Sequence, residues 1–166
     1  MFRIYARWFG TTIYVQIWEN RIRVVDLKAQ RSFDERPLLK VEMRGAKVAR
    51  VVAFGNAVTG NTEAGDIINP FSHPRSLIGD HYAAEHLLKL IVSRLCGHSL
   101  LCPIAAAIIQ PMEKVEDLTT LEILGLKQIG VAMGAQIGVI NDKKLTLDPS
   151  IRSLDDFVNW VSANAR

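Results

Sequence analysis

Short runs of alternating apolar and polar residues fill the first third of the chain, a pattern that indicates β-strands. The alternation is clearest from Thr12 to Trp18, where every second residue is aliphatic. Glu19-Asn20 then suits a two-residue hairpin turn before a return strand from Arg21 to Leu27. A similar β-forming composition predicts three more strands, over Phe2 to Phe9, Leu38 to Met43 and Val48 to Phe54.

After a loop predicted from Gly55 to Pro74, the apolar residues change to helical spacing. One helix is predicted between Asp80, a good N-cap, and Gly97, a good C-terminal cap. The apolar run within Pro103 to Ile109 suits a strand that is buried on both faces. The pattern further predicts a helix over Val115 to Leu124, strands over Gln128 to Met133 and Ile137 to Ile140, and a tail helix over about residues 153–165.

This order of elements predicts the fold class. Strands in a meander, followed by alternating helices and strands, give an α/β domain with a mixed five-stranded sheet and helices on both faces. That is the ribonuclease-H-like plan, which also underlies each half of the actin and sugar-kinase group. The 166 residues fit one domain, so we expect a single domain over residues 1–166.

Composition narrows the classes of protein. Hydrophobic residues make up 49% of the chain and charged residues 22%, which is typical of a globular protein. The net charge of +3 comes from scattered basic residues, so no nucleic-acid partner is predicted. No apolar run reaches the roughly 18 residues of a membrane span. The absence of a signal peptide and of a disulfide framework favours the cytoplasm.

Four stretches share the order and spacing of one known family. They are Gly10-Thr11-Thr12-Ile13-Tyr14-Val15, Asn69 through Gly97, Ile104 through Met112, and Gly125 to Ala135. The first stretch resembles a phosphate loop and the strand after it, D-L-G-T-A-N-T-L-x-Y-V. The second resembles an R-P-x-x-x-G-x-I-x-D stretch with the long helix that follows it. The third and fourth resemble a strand ending in V-P-S-G and a strand ending in E-E-P. These belong to the N-terminal half of the bacterial rod-shape-determining actin family, MreB. The resemblance covers residues 1 to about 135 and implies an actin-like half domain.

The chain departs from the family where the family handles ATP. Trp8 stands where the resemblance places the phosphate-loop aspartate, and the family's two turn residues between Gly-Thr and the next Thr are missing between Thr11 and Thr12. Met133-Gly134 replaces the two glutamates, so no carboxylate there positions the attacking water. The second half of the fold is also expected to be missing. We therefore interpret Gly10, Thr11 and Thr12 as a degenerate phosphate loop or a tight turn between strands, and we predict no cofactor and no enzyme activity.

The sequence gives little support for a nuclease site, a zinc site or a nucleophilic thiol. A ribonuclease-H-type nuclease needs a carboxylate on the first strand, and Phe2 to Phe9 has none. Zinc ligands are conceivable among nearby cysteines and histidines, but their spacings match no common ligand pair. The residues in question are Cys96, His98 and Cys102, with His81 and His86 upstream. No metal site is predicted, and nothing fixes a base beside a nucleophilic thiol.

The first nine residues allow two interpretations. Phe2, Tyr5, Ala6 and Phe9 share one helical face, which suits a helix lying on a membrane, and the resembled family uses such a segment. The same residues also suit a strand, which would place Gly10 and Thr11 after it. The strand is favoured, and peripheral membrane contact remains an alternative.

A half-actin domain leaves a surface that either the tail helix or another chain must cover. We therefore expect a non-enzymatic interaction module in bacterial cell-shape, cytoskeletal or membrane-complex assembly. Its expected partner is a second copy, in a homodimer, or a bacterial actin or morphogenetic complex. The alternatives are an accessory domain of a pilus or secretion machine, and half of an ATPase that is completed in trans.

Overall fold

The structure is a computed structural model that describes residues 10–44, 47–97, 103–114, 118–141, 147–148 and 150–164. Within these residues it contains strands and helices in the following order: β1 Thr11–Ile17, β2 Ile22–Asp26, β3 Arg31–Glu35, β4 Leu39–Arg44, β5 Lys47–Phe54, α1 Ala57–Gly60, β6 Asp66–Ile68, α2 His81–Cys96, β7 Ile104–Pro111, α3 Thr120–Ala132, β8 Ala135–Ile140 and α4 Leu154–Ala163. None of the described helices has the length and apolar character needed to cross a membrane.

The main sheet has five strands in the order β3-β2-β1-β7-β8. β1, β2 and β3 form an antiparallel meander, whereas β7 pairs parallel with β1 and β8 pairs parallel with β7. The predicted α/β class with a mixed five-stranded sheet is confirmed. β1 lies at the centre of this sheet, and all seven of its residues are buried. The alternation in β1 therefore separates two buried faces rather than a core face and a solvent face.

Helices cover both faces of the main sheet. On one face, which we call the main face, Ile13, Val15 and Ile17 of β1 belong to the same core as residues of α2 and α3. On the opposite face, the tail face, Tyr14 and Ile108 pack in a smaller core with Phe157 of α4. Alternate residues of a strand point to opposite faces, so Gln16 of β1 and Gln110 of β7 lie on the tail face with Tyr14 and Ile108. Ile104, before an irregularity in the β1–β7 register, belongs to the core of the main face instead.

A second sheet of three strands, in the order β5-β4-β6, was not predicted as a separate layer. Leu39 and Val41 of β4 belong to the core of the main face. Phe54 of β5 stacks against Phe33 of β3, with ring centroids 6.0 Å apart. The Arg94 guanidinium of α2 lies over both rings, 5.7 and 5.9 Å from their centroids. These contacts attach the second sheet to the main one.

The caps of α2 are as predicted. The Asp80 side chain accepts a hydrogen bond from the Ala83 N–H, which satisfies one of the unpaired donors of the first turn. Gly97 ends the helix with φ 67° and ψ 36°, a left-handed conformation that favours glycine. The buried residues between them form one apolar stripe against the sheet: Ala83, Ala84, Leu87, Leu88, Ile91, Val92 and Leu95.

The elements predicted after β7 are partly wrong. The predicted helix over Val115 to Leu124 begins later, at Thr120, and continues to Ala132. The predicted strand over Gln128 to Met133 does not form, because those residues belong to α3 and its C-cap. Thr119 and Glu122 form a capping box at the start of the helix: Thr119 accepts from the Glu122 N–H, and Glu122 accepts from the Thr119 N–H.

The tail helix forms as predicted, with Ser153 and Asp156 in a reciprocal capping box. Phe157 of this helix is buried and Val158 is 52% exposed, while Leu154, Trp160 and Val161 are partly buried against the smaller core. The strand β3 was missed, since Phe33 is its only buried residue. The segment Phe2 to Phe9, with its strand and membrane-helix interpretations, lies outside the described residues.

Candidate functional site

The parallel strands of the main sheet bring three chain segments together at one edge. β1, β7 and β8 run in the same direction, so their carboxyl ends meet. In open α/β sheets ligands bind outside the carboxyl ends of the strands. We call this region the carboxyl edge; it comprises Gln16, Gln110, Asn141, the turn Trp18–Arg21 and Glu113.

Three amide side chains form a row across the carboxyl edge. Gln16 of β1 is opposite Gln110 of β7 in the strand register. Asn141 follows β8, and its N–H donates to the Ile109 carbonyl at 2.8 Å, which continues the same register beside Gln110. None of the three is more than 3% exposed. We call these residues the amide row.

The amide row is hydrogen-bonded within the protein. The Gln110 Oε1 atom accepts from the Tyr14 hydroxyl and from Gln16 Nε2, the latter at 3.4 Å. Gln16 Nε2 also lies 3.5 Å from the Met112 sulfur. Because an amide carries no charge and takes up no proton near neutral pH, this row supplies neither a general base nor a charged metal ligand.

Burial raises the pKa of Tyr14 to about 12, against smaller opposite effects of the Leu147 N–H and the positive charge of Arg23. The phenol therefore remains protonated in the folded protein and donates to Gln110 over the whole physiological range. An unfolded chain would ionise this phenol near pH 10.

We expect the free energy of unfolding to fall as the pH rises from about 10 to about 12, because the unfolded chain loses the Tyr14 proton first. Between pH 9 and pH 11.5 the loss should be about 2 kcal/mol, since each pH unit between the two pKa values removes about 1.4 kcal/mol. Urea unfolding at pH 9 and pH 11.5 measures it. Tyr14→Phe should remove this part of the pH dependence, whereas Tyr82→Phe, at an exposed position on α2, should keep it. Equal slopes for all three proteins would contradict the assignment.

The turn after β1 is held by polar contacts. The Trp18 N–H donates to the Arg21 carbonyl at 2.9 Å, which closes the turn predicted at Glu19-Asn20. The Arg21 guanidinium pairs with both carboxylate oxygens of Asp34, at 2.7 and 2.6 Å. This hydrogen-bonded pair lowers the pKa of Asp34. Arg21 also lies over the Trp18 ring, 5.0 Å from its centroid.

The carboxylate of Glu113 accepts a hydrogen bond from a backbone N–H group of this turn. The Glu19 N–H donates to Glu113 Oε2 at 2.9 Å, and Glu113 lies just beyond the end of β7. The Glu19 carbonyl accepts from Asn69 Nδ2 at 2.9 Å, and its carboxylate accepts from the Ser72 hydroxyl at 3.3 Å. Three distant segments are thus tied together at the carboxyl edge, which carries two acidic side chains.

The predicted phosphate loop lies at the opposite end of β1. Gly10 precedes the strand, and Thr11 and Thr12 are its first two residues, beside the amino end of β7. The Thr11 hydroxyl donates to Asp26, which also accepts from the N–H groups of Lys28 and Ala29. These contacts close the amino end of the β1–β2 hairpin. Trp8 lies outside the described residues.

The Met133-Gly134 pair does not end a strand, in contrast to the prediction from the E-E-P motif. Met133 is the C-cap of α3, and Gly134 has φ 105° in the turn before β8. The strand that follows is β8, and Asn141 stands at its carboxyl end. Met133 is buried in the core of the main face, so it adds no exposed apolar surface.

Of the candidate metal ligands, His81, His86 and Cys96 lie within the described residues, and these three do not form one cluster. His81 begins α2 and Cys96 ends it, so about 22 Å of helix separates them. His86 packs against Tyr82, with ring centroids 4.4 Å apart, while His98 and Cys102 lie outside the described residues. In the part of the chain that is described, no three His, Cys, Asp or Glu residues could hold one metal ion. β1 carries no carboxylate for a nuclease site.

No protein-family model and no curated protein matches the sequence. Two crystal structures of MreB5 of Spiroplasma citri, one bound to ADP and one bound to AMPPNP, are similar to this structure. Each superposes with a TM-score of 0.60 at 21% sequence identity and covers 80% of this chain. The chain spans 38% of the length of MreB5. The fold is therefore actin-like, as the resemblance predicted.

Proposed function

We propose that this protein is a non-enzymatic, actin-like interaction module in the cytoplasm, which acts in bacterial cell-shape, cytoskeletal or membrane-complex assembly. Its fold is shared with MreB5, a protein that binds ADP and AMPPNP in crystals. The observation that supports the loss of nucleotide chemistry is the filling of the carboxyl edge by the protein's own side chains. In this proposal the chain is a degenerate relative that works through protein contacts.

The first support is the chemistry of the amide row. Divalent cations that accompany nucleotides are held by carboxylate and other oxygen ligands. Gln16 and Gln110 place neutral amides at the ends of the two central parallel strands, and the Gln110 oxygen already accepts two hydrogen bonds. With exposures of at most 3%, these side chains leave little space or charge for a hydrated cation.

The second support is the position of Glu113. Backbone N–H groups at a turn bind phosphate when they are unoccupied and face no negative charge. Here the Glu19 N–H is occupied by the Glu113 carboxylate, and the Glu19 carboxylate lies on the same turn. Two carboxylates close to a triphosphate repel it, so the carboxyl edge disfavours a nucleotide in both shape and charge.

We expect the purified protein to release no phosphate from ATP above the buffer background, and to show no thermal shift with magnesium and ATP at millimolar concentration. The physical reason is the filled carboxyl edge. A malachite-green assay and a melting curve with and without magnesium measure both quantities. Magnesium-dependent stabilisation by ATP would contradict the proposed function, whatever the oligomeric state.

A further inference from the structure

The amide row continues across the main sheet into two charged residues. In the strand register, Gln16 of β1 is opposite Gln110 of β7 on one side and opposite Arg23 of β2 on the other. Arg23 is in turn opposite Asp34 of β3. We call the resulting line, from Asn141 to Asp34, the polar row. It consists of uncharged amides on the parallel strands and of charged side chains on the β2–β3 side.

Arg23 lies at the margin of the area that α4 covers. The neighbouring line of residues, two positions further from the carboxyl edge, includes Tyr14, Val25 and Ile108, which pack in the smaller core with Phe157 of α4. Residues two positions apart on a strand share a face, so Arg23 lies on the tail face beside Val25. Its side chain is therefore placed where the apolar core of this face ends.

The surroundings of Arg23 differ from those of the other arginines. Among the arginines that the structure describes, Arg23 alone is half-buried and the others are exposed. Within the same described residues, no ion pair and no side-chain hydrogen bond involves Arg23. A guanidinium that is partly removed from water loses solvation, and a charge-assisted hydrogen bond to a carboxylate would offset that loss.

The carboxylate opposite Arg23 is already bound by another arginine. Arg21 Nε and Nη2 donate to the two carboxylate oxygens of Asp34, at 2.7 and 2.6 Å. Two guanidinium groups thus face one carboxylate, which leaves a net positive charge at this end of the polar row. Arg21 also lies over the half-buried Trp18 ring. We call Trp18, Arg21 and Arg23 the basic corner.

The residue types and charges of the basic corner favour a protein partner that carries carboxylates. Tryptophan and arginine are enriched among the residues that dominate binding energy at protein interfaces. The planar fork of a guanidinium matches the geometry of a carboxylate. On the other side of the same turn, Glu19 is bonded to Ser72 and Glu113, and these two glutamates repel an acidic partner. The charge pattern therefore directs such a partner to the tail face.

We infer that the basic corner binds an acidic segment of a partner protein, with the Arg23 guanidinium donating to one of its carboxylates and the Trp18 ring packing against the adjoining part of the segment. This inference rests on the proposed function and names the chemistry of the partner. A short acidic peptide makes only one such contact, so we expect a dissociation constant on the order of 1 mM at low ionic strength. Added salt should weaken binding, because the contact lies at the protein surface.

Titration of the full chain with hexaglutamate, capped at both ends and followed by proton–nitrogen correlation NMR, tests this site. The Trp18 indole N–H and the Arg23 Nε–H signals should shift saturably. Arg23→Gln should weaken binding about tenfold or more, since it removes the charge-assisted hydrogen bonds. Arg23→Lys should bind with intermediate affinity, because it keeps the charge and loses the fork. Arg50→Gln, which removes an equal charge from an exposed arginine of β5, should bind within about twofold of wild type.

Three results would overturn the inference. One is the absence of a saturable shift at Trp18 and Arg23, and another is equal weakening by Arg23→Gln and Arg50→Gln in variants whose spectra retain the wild-type fold. The third is tighter binding of pyrophosphate than of hexaglutamate at the same residues, which would identify a phosphate ligand instead of an acidic segment. None of these results bears on ATP hydrolysis or on magnesium-dependent stabilisation by ATP, so failure of this inference is distinguishable from failure of the proposed function.

Discussion

Leu88→Asp is expected to leave the protein unfolded at 25 °C. Leu88 is fully buried in the middle of α2, among the largest side chains of the core. The substitution loses the packing of a leucine and buries a carboxylate with no partner, at a combined cost of several kcal/mol. That cost is comparable with the whole stability of a domain, about 5–15 kcal/mol. Far-ultraviolet circular dichroism and urea unfolding measure the effect.

Ala106→Asp should act in the same way from the other face of the sheet, because Ala106 is fully buried in the central strand β7. Tyr82→Asp is the matched control on α2, since its side chain is exposed and an acidic residue near a helix start is favourable. A melting temperature of either buried variant within a few degrees of wild type would show that the element has been placed incorrectly.

Gly138→Ala is expected to destabilise the protein by about 3 kcal/mol or more through a backbone clash. A Cβ atom at this position of β8 would lie 2.4 Å from the Lys127 carbonyl oxygen and 3.0 Å from the Lys127 Cα atom of α3. A backbone carbonyl of a packed helix cannot move aside as a flexible side chain can. The variant must therefore separate α3 from the edge of the sheet.

Gly60→Ala provides the matched control, since a Cβ atom there meets nothing within 4 Å. Chemical unfolding of the two variants should show a loss for Gly138→Ala and almost none for Gly60→Ala. If Gly138→Ala unfolds at the wild-type urea concentration, the close approach of α3 to β8 is wrong.

Sequence patterns succeeded where a local signal determines the local structure. Asp80 begins α2 because its side chain accepts a hydrogen bond from a free N–H of the first turn. Gly97 ends the helix because glycine readily adopts the left-handed conformation of a C-terminal cap. The apolar run in β7 predicted a strand covered on both faces, and the main sheet has that arrangement. The fold class followed from the order of these elements.

The pattern failed at α3 because apolar residues occupy both sides of that helix. Leu121, Leu124 and Val131 face outward while Leu126 and Ile129 face inward, so no single stripe stands out. The residues Thr119-Thr120-Leu121-Glu122 did carry a capping-box signal that marks the start of the helix. β3 was not predicted because it is an edge strand with one buried residue, and such a strand shows no alternation of apolar and polar residues.

The carboxyl edge could not be predicted from local motifs. The Gly-Thr pair at positions 10 and 11 resembled a phosphate loop, but Thr11 and Thr12 begin β1 at the opposite end of the sheet. Gln16, Gln110 and Asn141 are far apart in sequence and come together only through the strand order. A comparison of the residues that end each predicted parallel strand is the signal that could have identified them.

Calorimetric titration of the wild-type protein with magnesium-ATP tests the central claim most directly, because it asks whether the filled carboxyl edge still accepts a nucleotide. The expected result is no saturable heat up to millimolar ATP, with or without magnesium, because the Glu113 carboxylate already occupies the Glu19 N–H of the turn. Saturable binding that requires magnesium and weakens in Gln16→Leu would place a functional nucleotide site at the amide row, and would contradict the proposal.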